Sequence, residues 1–325
     1  VTTMMQRLFP SLPAWARSDH PLLRYQLGKR EPPSRRVRFF RAFGVILLGL
    51  VLLFFGILRA TNVFTTSAGA YPVEVINNVL YFPLLTLQLL LSALCILLTA
   101  NTVAHEERVQ HWDSLRATPH GAELTLRTRW ASVFYRLRGL IAVIMIGRLI
   151  LLACMLYDLT AFQGRYIDLL INGVTPEVSV IVAVLLLALQ MTATVLLPIT
   201  GVGFDAALGL SLSTLIRQRT YSALAQILLI SGWILFTLVL LTGAEQYIAG
   251  QLQTTDIGAW WLTFGASALG DQGLGMIYLG RAGEVWATIP FGIFIGAALL
   301  VFAILQAALA DGLLSWAARR AQRKG

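Results

Sequence analysis

A chain of 325 residues that is 57% hydrophobic and only 13% charged is not an ordinary soluble domain, which would carry about a quarter charged residues. Its net charge of +9 comes from Arg and Lys flanking apolar runs, not from a folded basic face, so no nucleic-acid partner is expected. The two cysteines, Cys95 and Cys154, both fall inside apolar runs and give neither a disulfide framework nor a zinc site.

In chain order, residues 1–42 form a basic leading segment. It opens with an amphipathic stretch around 21–27 and is broken by Pro32-Pro33 before the first apolar run. That run starts only after about forty residues, farther in than the roughly 15–30 of a secretory signal, so no cleaved leader is expected. Six apolar runs follow, at 43–61, 79–100, 140–159, 178–199, 221–242 and 289–310. Each is near the ~20 residues needed to cross a hydrocarbon core. Isolated strands would leave backbone groups unpaired in lipid, so the runs predict helices. The expected fold is an all-α polytopic membrane protein, with a six-helix transmembrane domain at 43–310 and a basic tail at 311–325.

Orientation follows from the basic residues. Nine precede the first run, six lie between the second and third, two (Arg217 and Arg219) between the fourth and fifth, and four in the tail. The other side has only Arg59, Arg165 and Arg281. The bias alternates loop by loop, which predicts both ends in the cytoplasm and a location in the cell membrane, facing its lipids.

Two connections are too long for turns. The outer one, 243–290, holds Trp260, Trp261, Trp286, Tyr247 and Tyr278 with one basic residue. Such aromatics suit headgroup level, which predicts short interfacial or re-entrant helices; a soluble cap is the alternative. The inner one, 101–139, contains Glu106, Glu107, Arg108, Val109, Trp112, Leu115 and Pro119. Val109, Trp112 and Leu115 recur at helical spacing and Pro119 ends the segment, giving a short amphipathic helix beside the membrane. A membrane-surface helix would favour Lys and Arg over the Glu106–Glu107 pair.

This stretch resembles the cytoplasmic signature of type-2 ABC-transporter permeases: acidic residues (Glu106, Glu107), then Trp112, Leu115 and Thr118-Pro119, then a helix returning to the membrane from Glu123. Residues 21–27 resemble the family's amphipathic opening, and 208–215 its small-residue segment after the fourth span. The chain departs from the pattern at Gln110-His111, where a small residue is common, and at Gln26, where an acidic one is frequent.

The resemblance implies a permease subunit, paired with itself or a related permease and coupled to a separate ABC ATPase subunit. It would export a lipid, polysaccharide or drug-like molecule. Trp112, Leu115 and Pro119 would form a coupling helix seated in the ATPase, with Glu106, Glu107 and Arg108 at its rim. The chain has no phosphate-binding loop of its own. An alternative, left open by Gln110-His111 and Gln26, is a non-transporting permease-fold subunit of a larger bioenergetic assembly that holds lipids, quinones or pigments. A secondary carrier is disfavoured because no inverted repeat is visible.

Arg148 lies near the middle of the third run, where a charge costs at least ~2.5 kcal/mol. It either lines a substrate path or pairs with carbonyls or a carboxylate of neighbouring helices; in both cases it should face protein. Other features are weaker. His105, His111 and His120 lack the spacing of a helical metal site. Gly292 and Gly296 form a GxxxG pattern in the sixth run. Pro198, Gly201 and Gly203 suggest a loosened helix end, with Asp205 capping the next segment. Acidic residues scattered over opposite sides offer no catalytic pair, so no enzyme activity and no cofactor are expected.

Overall fold

The computed structural model describes residues 13–17, 20–28, 35–66, 72–100, 102, 121–161, 165–216 and 218–323. Among them all regular structure is helical. The helices are α1 (Pro21–Leu27), α2 (Arg35–Thr66), α3 (Pro72–Thr99), α4 (Gly121–Ala161), α5 (Arg165–Ile171), α6 (Val180–Leu215), α7 (Arg219–Ile248), α8 (Asp256–Gly265), α9 (Leu279–Thr288) and α10 (Ile295–Arg323).

Five of them, α3, α4, α6, α7 and α10, are long and apolar enough to cross a bilayer, which makes this a multi-pass membrane protein. The first expected run is helical within the 32-residue α2, whose described apolar stretch is Leu47–Leu58.

α6 is the hub of the bundle and packs on α10, α3 and α4, while α2 lies against α3. Two interior prolines shape these contacts. A proline offers no N–H to the carbonyl four residues earlier. Pro83 therefore releases the carbonyl of Val79, and α2 brings Gly56 so close to it that a side chain there would collide. Pro198 releases the carbonyl of Thr194 in the same way.

α6 differs from expectation. It runs unbroken from Val180 to Leu215, through Pro198, Gly201 and Gly203. Asp205 therefore caps nothing; it sits mid-helix and buried. The glycines serve close approach: Gly203 faces Trp130, whose Nε1 donates to the Gly203 carbonyl at 2.8 Å. The small-residue segment 208–215 forms the last turns of this same helix.

α4 has 41 residues, a length of roughly 60 Å against a hydrocarbon core of about 30 Å. Its first half extends past the apolar run and carries Glu123, Arg127, Arg129, Arg136 and Arg138. Here α1 clamps onto it. Gln26 donates to Thr128 Oγ1 at 3.0 Å, and Arg136 donates to the Gln26 carbonyl at 2.7 Å. Ala122 and Leu126 of α4 meet Ala207 and Leu210 of α6 and Ala317 of α10 in a small-residue core. Arg127 bridges Glu123 at 3.1 Å and Asp311 at 3.7 Å.

At the opposite end, α8 and α9 form a hairpin that folds back into the bundle. Trp260, midway along α8, donates from Nε1 to the carbonyl of Phe291 beyond α9, at 3.2 Å. The turn between the two helices reaches the middle of α4 and α6 (below). Trp286 of α9 is buried to 1% exposure, not spread on a surface. Gly292 and Gly296 are not one helical stripe. Gly292 lies in a short 3-10 turn after Phe291, which has φ 62°, and abuts the carbonyl of Val285. Only Gly296 lies in α10, against Gln190 of α6.

Candidate functional site

Arg148 is fully buried. A guanidinium there is tolerable only if hydrogen bonds meet its charge; two helices and the hairpin turn supply four acceptors to its Nη donors, while Nε has no partner among the described residues. Nη1 donates to the carbonyls of Thr194 (2.6 Å) and Gln272 (2.9 Å). Nη2 donates to Gln88 Oε1 (2.6 Å) and the Asp271 carbonyl (3.0 Å). The Thr194 carbonyl is the one that Pro198 leaves without its helical donor. Neighbouring Gly147 leaves room for Leu84 of α3, which lets α3 come close enough for Gln88 to reach. Arg148 thus ties α3, α4, α6 and the hairpin turn at a single point.

The turn is built to present those carbonyls. Gln272 (φ 51°) and Gly273 (φ 79°) are both left-handed. Gly adopts this conformation freely, but Gln does so at a cost of about 1 kcal/mol. The bond from Arg148 to the Gln272 carbonyl helps hold it. A second polar clasp lies one turn away, where Gln190 of α6 donates to the Met276 carbonyl at 2.6 Å.

The carboxylate of Asp271 points to the other side of the turn. It accepts from the amides of Gly273 (3.0 Å) and Gly275 (2.7 Å) and from the Tyr81 hydroxyl (3.3 Å). Beyond it opens a cavity of about 250 Å³ between α3, α7 and the hairpin. α3 contributes Asn77 and Tyr81, and α7 contributes Glu245. The hairpin adds Thr263, Asp271, Arg281 and Glu284. Asp271 is therefore shared, with its main chain in the Arg148 network and its side chain in the cavity wall.

Glu106, Glu107, Arg108, Trp112, Leu115 and Pro119 lie outside the described residues, as do His105, His111 and His120. Among the described residues no group of three or more metal-ligating side chains converges. Sequence reasoning isolated Arg148 but missed its partners. Gln88 and Gln190 carried the same signal, amides inside apolar runs. Gly270-Asp271-Gln272-Gly273 carried a turn signal. No protein-family model, curated protein or solved structure matches the chain.

Proposed function

We propose that the chain is the membrane-spanning permease subunit of an ATP-driven exporter of the ABC type, coupled to a separate ATPase. In this reading α2 is a sixth span, and both ends and the connection 101–120 face the cytoplasm of a cell membrane. Trp112, Leu115 and Pro119 dock in the ATPase, with Glu106, Glu107 and Arg108 at the rim. Two copies, or this chain and a related permease, form the path for a lipid, polysaccharide or drug-like substrate.

The observation that carries this reading is the unbroken helix α4. It begins at Gly121, directly after the proposed docking segment, and continues through Arg148 to Ala161. A continuous helix transmits displacement along its axis, because sliding it must stretch or break every bond along its flank. Movement of the connection would thus load the four bonds of Arg148, and through Asp271 and Gln272 the hairpin at the far end. The clamp of α1 on the first half of α4 stiffens the lever where it leaves the apolar layer.

Purification of the tagged full chain from its native membranes in mild detergent tests the assignment. Recovery of a nucleotide-binding subunit with a phosphate-binding loop is the expected result. Recovery with redox or light-harvesting subunits and no nucleotide-binding protein overturns it in favour of a structural role.

A further inference from the structure

We infer that the pocket between the first turns of α8 and the α9–α10 joint binds a quaternary ammonium, the trimethylammonium headgroup of a phosphatidylcholine-type lipid. The pocket has a volume of about 410 Å³ and shares no lining residue with the cavity beside Asp271. The inference does not rest on the transport assignment.

Its walls are aromatic and meet at an angle. Trp260 and Trp261 of α8 line it with ring centroids 5.3 Å apart and planes at 86°, and Phe264 braces Trp260 by stacking at 5.3 Å. Pro290 and Phe291 supply the facing wall. Trp261 is 61% exposed and Phe291 54% exposed, so both keep surface for an occupant. Ring faces attract cations, and several rings around one space are the way proteins hold quaternary ammonium groups.

Charge agrees. Asp256 is the one charged residue among the lining residues. It stands at the first position of α8, yet the cap of that helix is Thr255, whose Oγ1 accepts from the Gly258 amide at 3.2 Å. The Asp256 carboxylate is thus left to face the pocket mouth without a hydrogen bond or ion pair of its own among the described residues.

Phe291 is held in place at a cost. Its backbone is left-handed, with φ 62°, a conformation that a bulky residue rarely adopts. Its amide donates to the Thr175 carbonyl at 2.7 Å, and its carbonyl accepts from Trp260 Nε1 at 3.2 Å. Strain kept by surrounding bonds, for a ring that stays largely uncovered, is the pattern of a ligand wall.

Position selects a lipid, and hydrogen bonding selects its headgroup. Phe291 directly precedes the span Gly292–Gln322, and α8 follows soon after the span that ends at Ile248, so the pocket lies where spans meet the headgroup layer. Ile257, 73% exposed beside it, offers apolar contact to the rest of a lipid. A primary ammonium brings three donors, but the Phe291 carbonyl is already taken by Trp260 and only Asp256 is free to accept. A trimethylammonium has no donors to lose, so the pocket favours choline over ethanolamine.

The test is lipid retention by the full chain from nanodiscs of equal parts phosphatidylcholine and phosphatidylethanolamine, read by native mass spectrometry after release into mild neutral detergent. The most tightly held lipid should be the choline form, by at least about five-fold. Asp256→Asn removes the charge, and Trp261→Leu replaces an aromatic face with an apolar one; each should lower the preference by at least about three-fold. Both side chains are exposed, so both variants should fold, which an unchanged unfolding temperature checks; if W261L does not fold, D256N decides alone. Equal retention of the two lipids, or a preference for ethanolamine, reduces the pocket to plain apolar contact and overturns the inference. So does a folded D256N variant within about two-fold of the parent, or a dimer that retains no lipid and so fills the pocket with a second copy.

Discussion

Nη2 of Arg148 donates to Oε1 of Gln88 at 2.6 Å, joining α4 to α3 at the depth where a charge is most expensive. With the carbonyls of Thr194, Asp271 and Gln272 on the remaining Nη donors, the guanidinium is the common anchor of three helices and the hairpin turn.

Removing that anchor should be costly. Arg148→Ala leaves four acceptors without their donor and Asp271 without its nearby cation, a loss of about 3–5 kcal/mol by analogy with broken buried pairs. Arg148→Lys should fall between the two, because three donors on a point charge cannot span four acceptors held around a planar fork. Thermal unfolding in detergent, followed by tryptophan fluorescence, ranks the three proteins.

Two glycines should respond in opposite directions. A methyl on Gly209 of α6 would run into Thr99 Oγ1 and lie 3.1 Å from the Ile96 carbonyl of α3, so Gly209→Ala should cost about 1–3 kcal/mol. Gly312 of α10 is exposed with nothing within 4 Å. Gly312→Ala should therefore gain about 0.4–1 kcal/mol by restricting the unfolded chain. The same unfolding assay reads both.

How far the sequence revealed this site depended on the kind of atom involved. Arg148 stood out because its charge is anomalous among Leu and Ile. Three of its four acceptors are main-chain carbonyls, which carry no residue identity and can be found only from the fold. From sequence alone, Pro198 reads as a loosening of the helix end. Its actual effect is narrower, freeing one carbonyl inside a helix that continues to Leu215. Asp205 reads as a cap for the same reason, but a cap needs a helix start and none occurs there. The Gly292–Gly296 pair had the spacing of a helix stripe, but the left-handed Phe291 and the 3-10 turn after it put the two glycines on different neighbours. The tryptophans of the connection 243–290 predict membrane-level helices. That these helices turn inward was fixed by the acceptors they offer Arg148, not by any periodicity.

In the proposed topology α2 is a sixth span, which puts both ends of the chain on one side. Single cysteines replacing Arg17 and Gln322 should both resist a membrane-impermeant maleimide in intact cells, while Gln253→Cys, in the exposed connection after α7, should react. The native thiols interfere little, because Cys95 is buried and Cys154 half-buried. Reaction at one end and protection at the other would mean an odd number of spans.

If the connection 101–120 docks on an ATPase as proposed, Trp112 is the anchor. Trp112→Ala should reduce recovery of the ATPase in co-purification by roughly ten-fold or more, as loss of a central aromatic contact does elsewhere, while leaving the unfolding temperature of the isolated chain unchanged. Unchanged recovery would remove Trp112 from the interface.

The coupling role proposed for α4 is tested most directly by amide hydrogen exchange across 266–277, the hairpin turn held by Arg148, in the complex with the proposed ATPase before and after a non-hydrolysable nucleotide is added. Exchange there should change on nucleotide binding, and the change should vanish when two glycines are inserted after Arg138 to interrupt the lever. No change in the parent complex, or the same change with the helix interrupted, would contradict it.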